Sequence, residues 1–406
     1  MTEAVNYKEI AGGVTAAKGF LASGVVAGLK KDHKLDLAAI YSEVPASVAG
    51  VYTTNLVQAA PLELTRQRVA GGTAQAVIIN AGNANACTGE RGLPDAKEMT
   101  RSLAVALDLP EEYVMVASTG VIGVPLPLDK VIKAVPQATS ILSKEGHSLA
   151  RQAIMTTDLI AKEYALAIPM GEQVITIGGM AKGSGMIHPN MATMLCFVTT
   201  DAVISSEVLQ TALKGAVDQS FNMITVDGDT STNDMVLTLA NGQAGNPEIQ
   251  IGSKEFDLFY QGLLEVCTTL AKKIARDGEG ATRLIEVKVT GAPSLADARL
   301  AARSVAGSNL FKAAVFGKDA NWGRILCAVG YSGAKFEPTR TDIFLGDVPV
   351  SKDGGAIPFD EDLAAQALEQ DPVIVTVNLK SGDDSATAWG CDLTYDYVRI
   401  NGSYRT

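Results

Sequence analysis

Residues 74–107 read AQAVIINAGNANACTGERGLPDAKEMTRSLAVAL, and this stretch decides the fold class. The opening run 74–79 is apolar and rich in β-branched residues, which suits a buried strand. It breaks at the loop N-A-G-N-A-N-A-C (80–87), where Asn and Gly favour turns. From 95 to 107 the apolar residues recur at spacings of three and four, which predicts a helix. A second strand, 113–117, then ends in S-T-G-V-I-G (118–123). Strand, loop, helix and strand in succession describe a mixed α/β protein.

The same alternation continues outward. Segments 161–169 and 173–180 read as a hairpin joined at Met170 and Gly171. Segments 206–220, 256–275, 295–305 and 363–369 read as helices, 284–290, 324–329 and 373–379 as strands, and 386–400 as extended. No internal repeat or low-complexity linker appears, and soft boundaries fall near 190 and 280.

Composition narrows the function. Of 406 residues, 47% are apolar and 19% charged, enough apolar material for sizeable cores. A net charge of −11 opposes nucleic-acid and anionic-membrane partners, because the bulk field repels phosphate. No apolar run approaches the ~18 residues needed to span a bilayer, and the Gly-rich segment 19–29 lacks the cleavage signal of a secretory leader. The five cysteines, Cys87, Cys196, Cys267, Cys327 and Cys391, form no C-x-x-C pair. They read as buried thiols in a reducing compartment. His33, His147 and His188 lie far apart, so no metal site is expected; His188 is the histidine considered as a base.

Phosphate-binding, dinucleotide, nucleophile-elbow and zincin motifs are absent. The loop D-G-D-T-S-T-N-D (227–234) lacks the central Gly and closing Glu of an EF-hand and reads as a hydrogen-bonded turn. What remains is G-G-M-A-K-G-S-G-M-I-H-P-N-M-A-T-M-L (178–195), a Gly-rich loop that delivers Thr193 to the start of an apolar strand. A Thr hydroxyl is a weak nucleophile. Cleavage of the Ala192–Thr193 bond would set a free α-amine beside it, with an ordinary pKa suited to a base at neutral pH.

The segment H-P-N-M-A-T-M-L resembles the self-processing site of the ornithine acetyltransferase family, the ArgJ enzymes of arginine biosynthesis. The resemblance runs along the chain through N-A-G-N-A-N-A-C-T-G (80–89), S-T-G-V-I-G (118–123), M-T-T-D (155–158), G-G-M-A-K-G-S-G-M-I (178–187), D-G-D-T-S-T-N-D (227–234), R-D-G-E-G-A-T (276–282), F-G-K-D-A-N-W-G-R (316–324) and I-N-G-S-Y-R-T (400–406). It implies a layered α-β-β-α fold, cleaved into an α chain 1–192 and a β chain 193–406 that assemble as α2β2 in the cytoplasm. It also implies acetyl transfer from N2-acetylornithine to glutamate through acetyl-Thr193, with no cofactor; some members take acetyl-CoA as a second donor. In that reading Thr193 is the nucleophile, Thr119 and Gly120 form the oxyanion hole, and Thr156, Lys182, Thr193, Glu279, Asn401 and Thr406 bind substrate. Lys182 is expected on the α-carboxylate that both substrates share. The Thr406 carboxylate is expected near the ornithine δ-ammonium, and the Asn401 amide near the glutamate side chain. Two other readings remain: a self-processed aminopeptidase or amidase, which passes the acyl group to water, and an amino-acid sensor that needs no cleavage.

Overall fold

The computed structural model describes residues 7–188 and 194–403. The chain forms two compact units that interleave in sequence. The first comprises Met1–Gly183, Asn190–Phe221 and Thr230–Leu270, and the second Ser184–Pro189, Asn222–Asp229 and Ala271–Thr406.

Among the described residues the first unit carries nine strands: β1 (Lys8–Ile10), β2 (Phe20–Val25), β3 (Leu37–Tyr52), β4 (Thr73–Asn83), β5 (Val114–Val121), β6 (Lys162–Met170), β7 (Gln173–Lys182), β8 (Leu195–Thr200) and β9 (Met235–Ala240). They follow the order β1-β6-β7-β8-β9-β3-β4-β5, with β2 on β3. Pairs β4/β5 and β8/β9 are parallel. β3 serves different partners along its length: its first half pairs with β2 and β4, its second with β9. The register breaks between Tyr41 and Ala46, a segment that contains Pro45, which has no N–H for the ladder.

The apolar run of β4 is explained by burial on both faces. Ala74, Val77 and Ile79 enter one core with Ala38 and Ile40 of β3 and Met115 and Ala117 of β5. Ala76 and Ile78 enter the other with Val114 and Val116. That second core is closed by helix Gly92–Leu107 through Ala96, Met99 and Leu103, and by helix Leu128–Ser140 through Val131, Ala134, Val135 and Ala138. The three-and-four spacing is the stripe a helix needs to cover a sheet. Removing one such side chain, as in Met99→Ala, costs about 2–5 kcal/mol.

The second unit carries β10 (Leu284–Ala292), β11 (Asp342–Leu345), β12 (Val348–Lys352), β13 (Gly355–Ala356), β14 (Val373–Asn378) and β15 (Asp384–Cys391), in the order β13-β12-β11-β14-β10-β15. Helix Leu295–Gly307 buries Ala298, Ala301, Ala302, Val305 and Ala306, small residues that let it lie close to its neighbours.

Four expectations are corrected. Residues 324–329 belong to helix Trp322–Gly330 and not to a strand. The short apolar run I-L-C-A-V fits either element, and burial of Ile325, Ala328 and Val329 at helical spacing decides it. Segment 386–400 is extended only to Cys391; Thr394 then accepts from the Asp396 N–H and starts helix Tyr395–Asn401. The hairpin turns at Gly171 and Glu172, between the end of β6 at Met170 and the start of β7 at Gln173. All five cysteines are free, but Cys87 and Cys327 are exposed.

Candidate active site

The parallel strands β4 and β5 end side by side, with Ala81 opposite Thr119 and Gly82 opposite Gly120. Gly120 has φ 134°, and a Cβ there would lie 2.3 Å from the Gly82 carbonyl carbon. No other residue fits without moving the strand end. Asparagines at the end of β4, which runs to Asn83, hold this edge. Asn80 Oδ1 accepts from the Ser118 hydroxyl (2.6 Å), and Asn80 Nδ2 donates to the Asn83 carbonyl (2.9 Å). Asn233, from the acidic loop, donates to the carbonyls of Ala84 (2.7 Å) and Ser118 (2.9 Å).

Lys182, the last residue of β7, is 3% exposed and donates from Nζ to Thr119 Oγ1 at 3.0 Å. An ammonium only donates, so the Thr119 oxygen accepts and its own hydrogen remains a donor to a third group. Asp158 lies beside this pair. Its carboxylate accepts from Lys162 Nζ (2.7 Å), the Gly183 N–H (2.7 Å) and the Thr156 N–H (2.9 Å). Burial alone would raise its pKa, but the ammonium groups of Lys162 and Lys182 hold it below the ordinary carboxylate range. Thr156, Lys182, Thr119 and Gly120 are thus brought together in the first unit.

Asp234 Oδ1 accepts from the Met194 N–H at 2.9 Å, while its Oδ2 is buried with no partner among the described residues. Burial pushes this carboxyl well above its ordinary pKa, against the Ser231 and Met194 hydrogen bonds and the Lys182 charge. Its bond to the Met194 N–H anchors the chain just before β8, at the residue that follows the expected nucleophile in sequence. Ala192, Thr193 and Thr406 lie outside the described residues.

The second unit gathers Glu279 and Asn401. Glu279 is 7% exposed, and Asn401 Nδ2 donates to its Oε2 at 2.8 Å. The Glu279 N–H donates to the Ser184 carbonyl, and a Cβ on Gly185 would meet Glu279 Cδ at 2.5 Å. A side chain at position 185 would therefore push this carboxylate aside. Asn401 also donates to the Tyr397 carbonyl (3.1 Å), so both amide hydrogens that were expected to face a substrate carboxylate are engaged within this unit. Asp227 accepts from the N–H groups of Met186 (2.6 Å) and Ile187 (2.8 Å), fixing the Gly-rich loop. His188 pairs with Thr225 Oγ1 at 3.2 Å, and burial and Arg303 lower its pKa.

The signals missed in sequence are Asp158, Asn233 and Asp234. All three lie inside motifs already quoted, M-T-T-D and D-G-D-T-S-T-N-D, but nothing local assigns them roles. Among the described residues no group of three or more His, Cys, Asp or Glu could hold a metal, and no helix is long and apolar enough to cross a membrane.

The family model of the ArgJ family matches residues 21–406. The chain belongs to the ArgJ family. It is 59% identical over 399 residues to the arginine biosynthesis bifunctional protein ArgJ of Symbiobacterium thermophilum, covering 98% of this chain and 99% of that one. The protein of the same name from Caldanaerobacter subterraneus is 54% identical, covering 97% and 99%. A crystal structure of the arginine biosynthesis bifunctional protein ArgJ from Bacillus halodurans aligns with TM-score 0.51 and 50% identity, covering 51% of this chain and 98% of that chain. In this ArgJ chain the mixed α/β class expected from sequence is therefore also that of its family.

Proposed function

We propose that this ArgJ chain cleaves itself between Ala192 and Thr193 and then moves the acetyl group of N2-acetylornithine to glutamate through an acetyl ester on Thr193. The observation that carries the reading is the Lys182 to Thr119 hydrogen bond at the edge that Gly120 completes. It arms a hydroxyl donor beside a backbone N–H, which is the arrangement a tetrahedral oxyanion needs.

The steps balance without a cofactor. The Thr193 hydroxyl attacks the acetyl carbonyl and its proton passes to the Thr193 α-amine. The oxyanion takes hydrogen bonds from Thr119 and Gly120. Collapse breaks the amide C–N bond, the α-amine returns the proton, and ornithine leaves. The glutamate α-amine then attacks the ester, and N-acetylglutamate leaves as the Thr193 hydroxyl is restored. Lys182 polarises Thr119 and takes the shared α-carboxylate; Thr156, Glu279, Asn401 and Thr406 complete substrate binding. The same oxyanion donors serve self-cleavage, in which the carbonyl attacked is that of Ala192.

The cut falls between β7 and β8, which are paired from Ile177 opposite Thr200 to Lys182 opposite Leu195. The chains 1–192 and 193–406 therefore share one sheet, and separating them would open its core. We assign the assembly α2β2 and the compartment cytoplasmic, in line with a biosynthetic enzyme. Acetyl-CoA is proposed as a second acetyl donor, in keeping with the relatives' designation as bifunctional.

Incubation with N2-acetylornithine tests the transfer. Ornithine release should stop after about one equivalent without glutamate and continue with it. Sustained release without glutamate would make the enzyme an amidase.

A further inference from the structure

A cavity of 580 Å³ in the first unit is lined in part by Lys30, His33, Lys34, Met155, Thr156 and Asp158. Thr156 has a role in the proposed function. The three basic residues have none. Lys30 Nζ donates to the carbonyls of Leu35 (2.7 Å) and Ala153 (2.9 Å), which fixes it between two walls. An ammonium has three hydrogens, and the third meets no partner among the described residues.

The place of Lys30 is specific. Its stem passes Gly82, where a Cβ would lie 3.3 Å from Lys30 Cγ, and Gly82 backs directly onto Gly120. On the other side Asp158 lines the cavity and accepts from the Gly183 N–H, next to Lys182. The cavity therefore borders the oxyanion edge.

Among the described residues that line the cavity, basic groups outnumber acidic ones. Among the described residues, Asp158 in the lining and Asp36 behind Lys30 are already engaged. Asp158 is paired with Lys162, both side chains being fully buried. Asp36 accepts from four backbone N–H groups, those of Ala27, Gly28, Leu29 and Lys30. Lys30, Lys34 and His33 are left to face the space.

The two substrates share their α-substituents and differ at the far end, a δ-ammonium in one and a γ-carboxylate in the other. We propose that this cavity receives the substrate side chain and that the Lys30 ammonium pairs with the γ-carboxylate of glutamate, which makes Lys30 a specificity-determining residue for the acceptor. The inference rests on the acetyl-transfer reading above. It also relieves a conflict between the substrates. Burial, and then Lys182 and Lys34, bring the Lys30 pKa down to about 8 against the pull of Asp36 and Asp158. Its proton is given up at small cost when an ammonium must be accepted instead.

The test compares half-reactions of Lys30→Met and Lys30→Arg with the wild-type enzyme. Lys30→Met should lower kcat/KM for glutamate by about 10- to 100-fold, the worth of a charge-assisted hydrogen bond. For N2-acetylornithine it should fall far less, and Lys30→Arg should recover part of the loss for glutamate. The wild-type advantage over Lys30→Met should be largest below pH 8 and shrink above it, since kcat/KM reports the free enzyme. Equal losses for both substrates would mean that Lys30 only staples the walls, and an unchanged glutamate value would mean that it does not meet the acceptor; either result overturns the assignment. A wild-type enzyme that releases no ornithine overturns the transfer reading, and Lys30 with it.

Discussion

Lys182 Nζ stands 3.0 Å from Thr119 Oγ1, although β8, β9, β3 and β4 separate their strands in the sheet order. The contact makes the two residues one functional group. Thr119→Ala should lower kcat by about 10²- to 10³-fold. Lys182→Met should lower kcat as well as raise KM, and the double variant should lose much less than the product of the single losses. Single-turnover kinetics check this. A pure KM effect at Lys182, multiplicative with Thr119→Ala, would make it a carboxylate anchor alone.

Asp234 gives a stability prediction. Its carboxyl is raised by burial, so the folded state holds a proton that the unfolded state loses near pH 4. Stability contributed by this site is therefore full below pH 4 and falls as pH rises toward the folded-state pKa. Asp234→Asn removes the ionisable proton and can still accept from Met194, so it should raise Tm at pH 7 with the gain vanishing in acid. Asp234→Ala should lower Tm and slow self-cleavage. Thermal melts across pH and electrophoresis of fresh protein check both.

Asp158 has the opposite sign. Its lowered pKa adds stability that is present above the unfolded value and disappears as pH falls through the folded one, so this share is lost below about pH 4. Asp158→Asn takes the carboxylate away from the buried Lys162 ammonium, which keeps the Ile160 carbonyl, and should cost about 3–5 kcal/mol by denaturant unfolding, with the acid-sensitive share removed.

Gly185→Ala separates activity from folding. The new methyl meets the end of a movable side chain, the Glu279 carboxylate, and not backbone. Tm should shift little, while kcat/KM for both substrates falls at least tenfold, roughly the value of a charged hydrogen bond. An unchanged kcat/KM would remove Glu279 from the binding site.

Much of the first sheet was legible because β4 and β5 are buried on both faces and the helix after them carries a clean three-and-four stripe. Residues 324–329 were misread because the five apolar residues after Arg324 fit either period, and burial by a neighbour decides between them. The site divides in the same way. Thr119, Gly120, Lys182 and Glu279 sit in motifs that a family resemblance exposes. The hydrogen bond between Lys182 and Thr119 joins residues 63 positions apart, and the one from Lys30 to Ala153 spans 123. Such relations belong to the fold, and no local pattern announces them.

The central claim is the acetyl ester on a self-generated N-terminal threonine. Mass spectrometry of the denatured enzyme, after incubation with N2-acetylornithine alone, tests it most directly. The account predicts two chains, the second beginning at Thr193 and heavier by one acetyl group on its side-chain oxygen, and loss of that mass when glutamate is added, with N-acetylglutamate formed. An intact single chain that turns over, or a cleaved enzyme that turns over with no acetyl on Thr193, would contradict it.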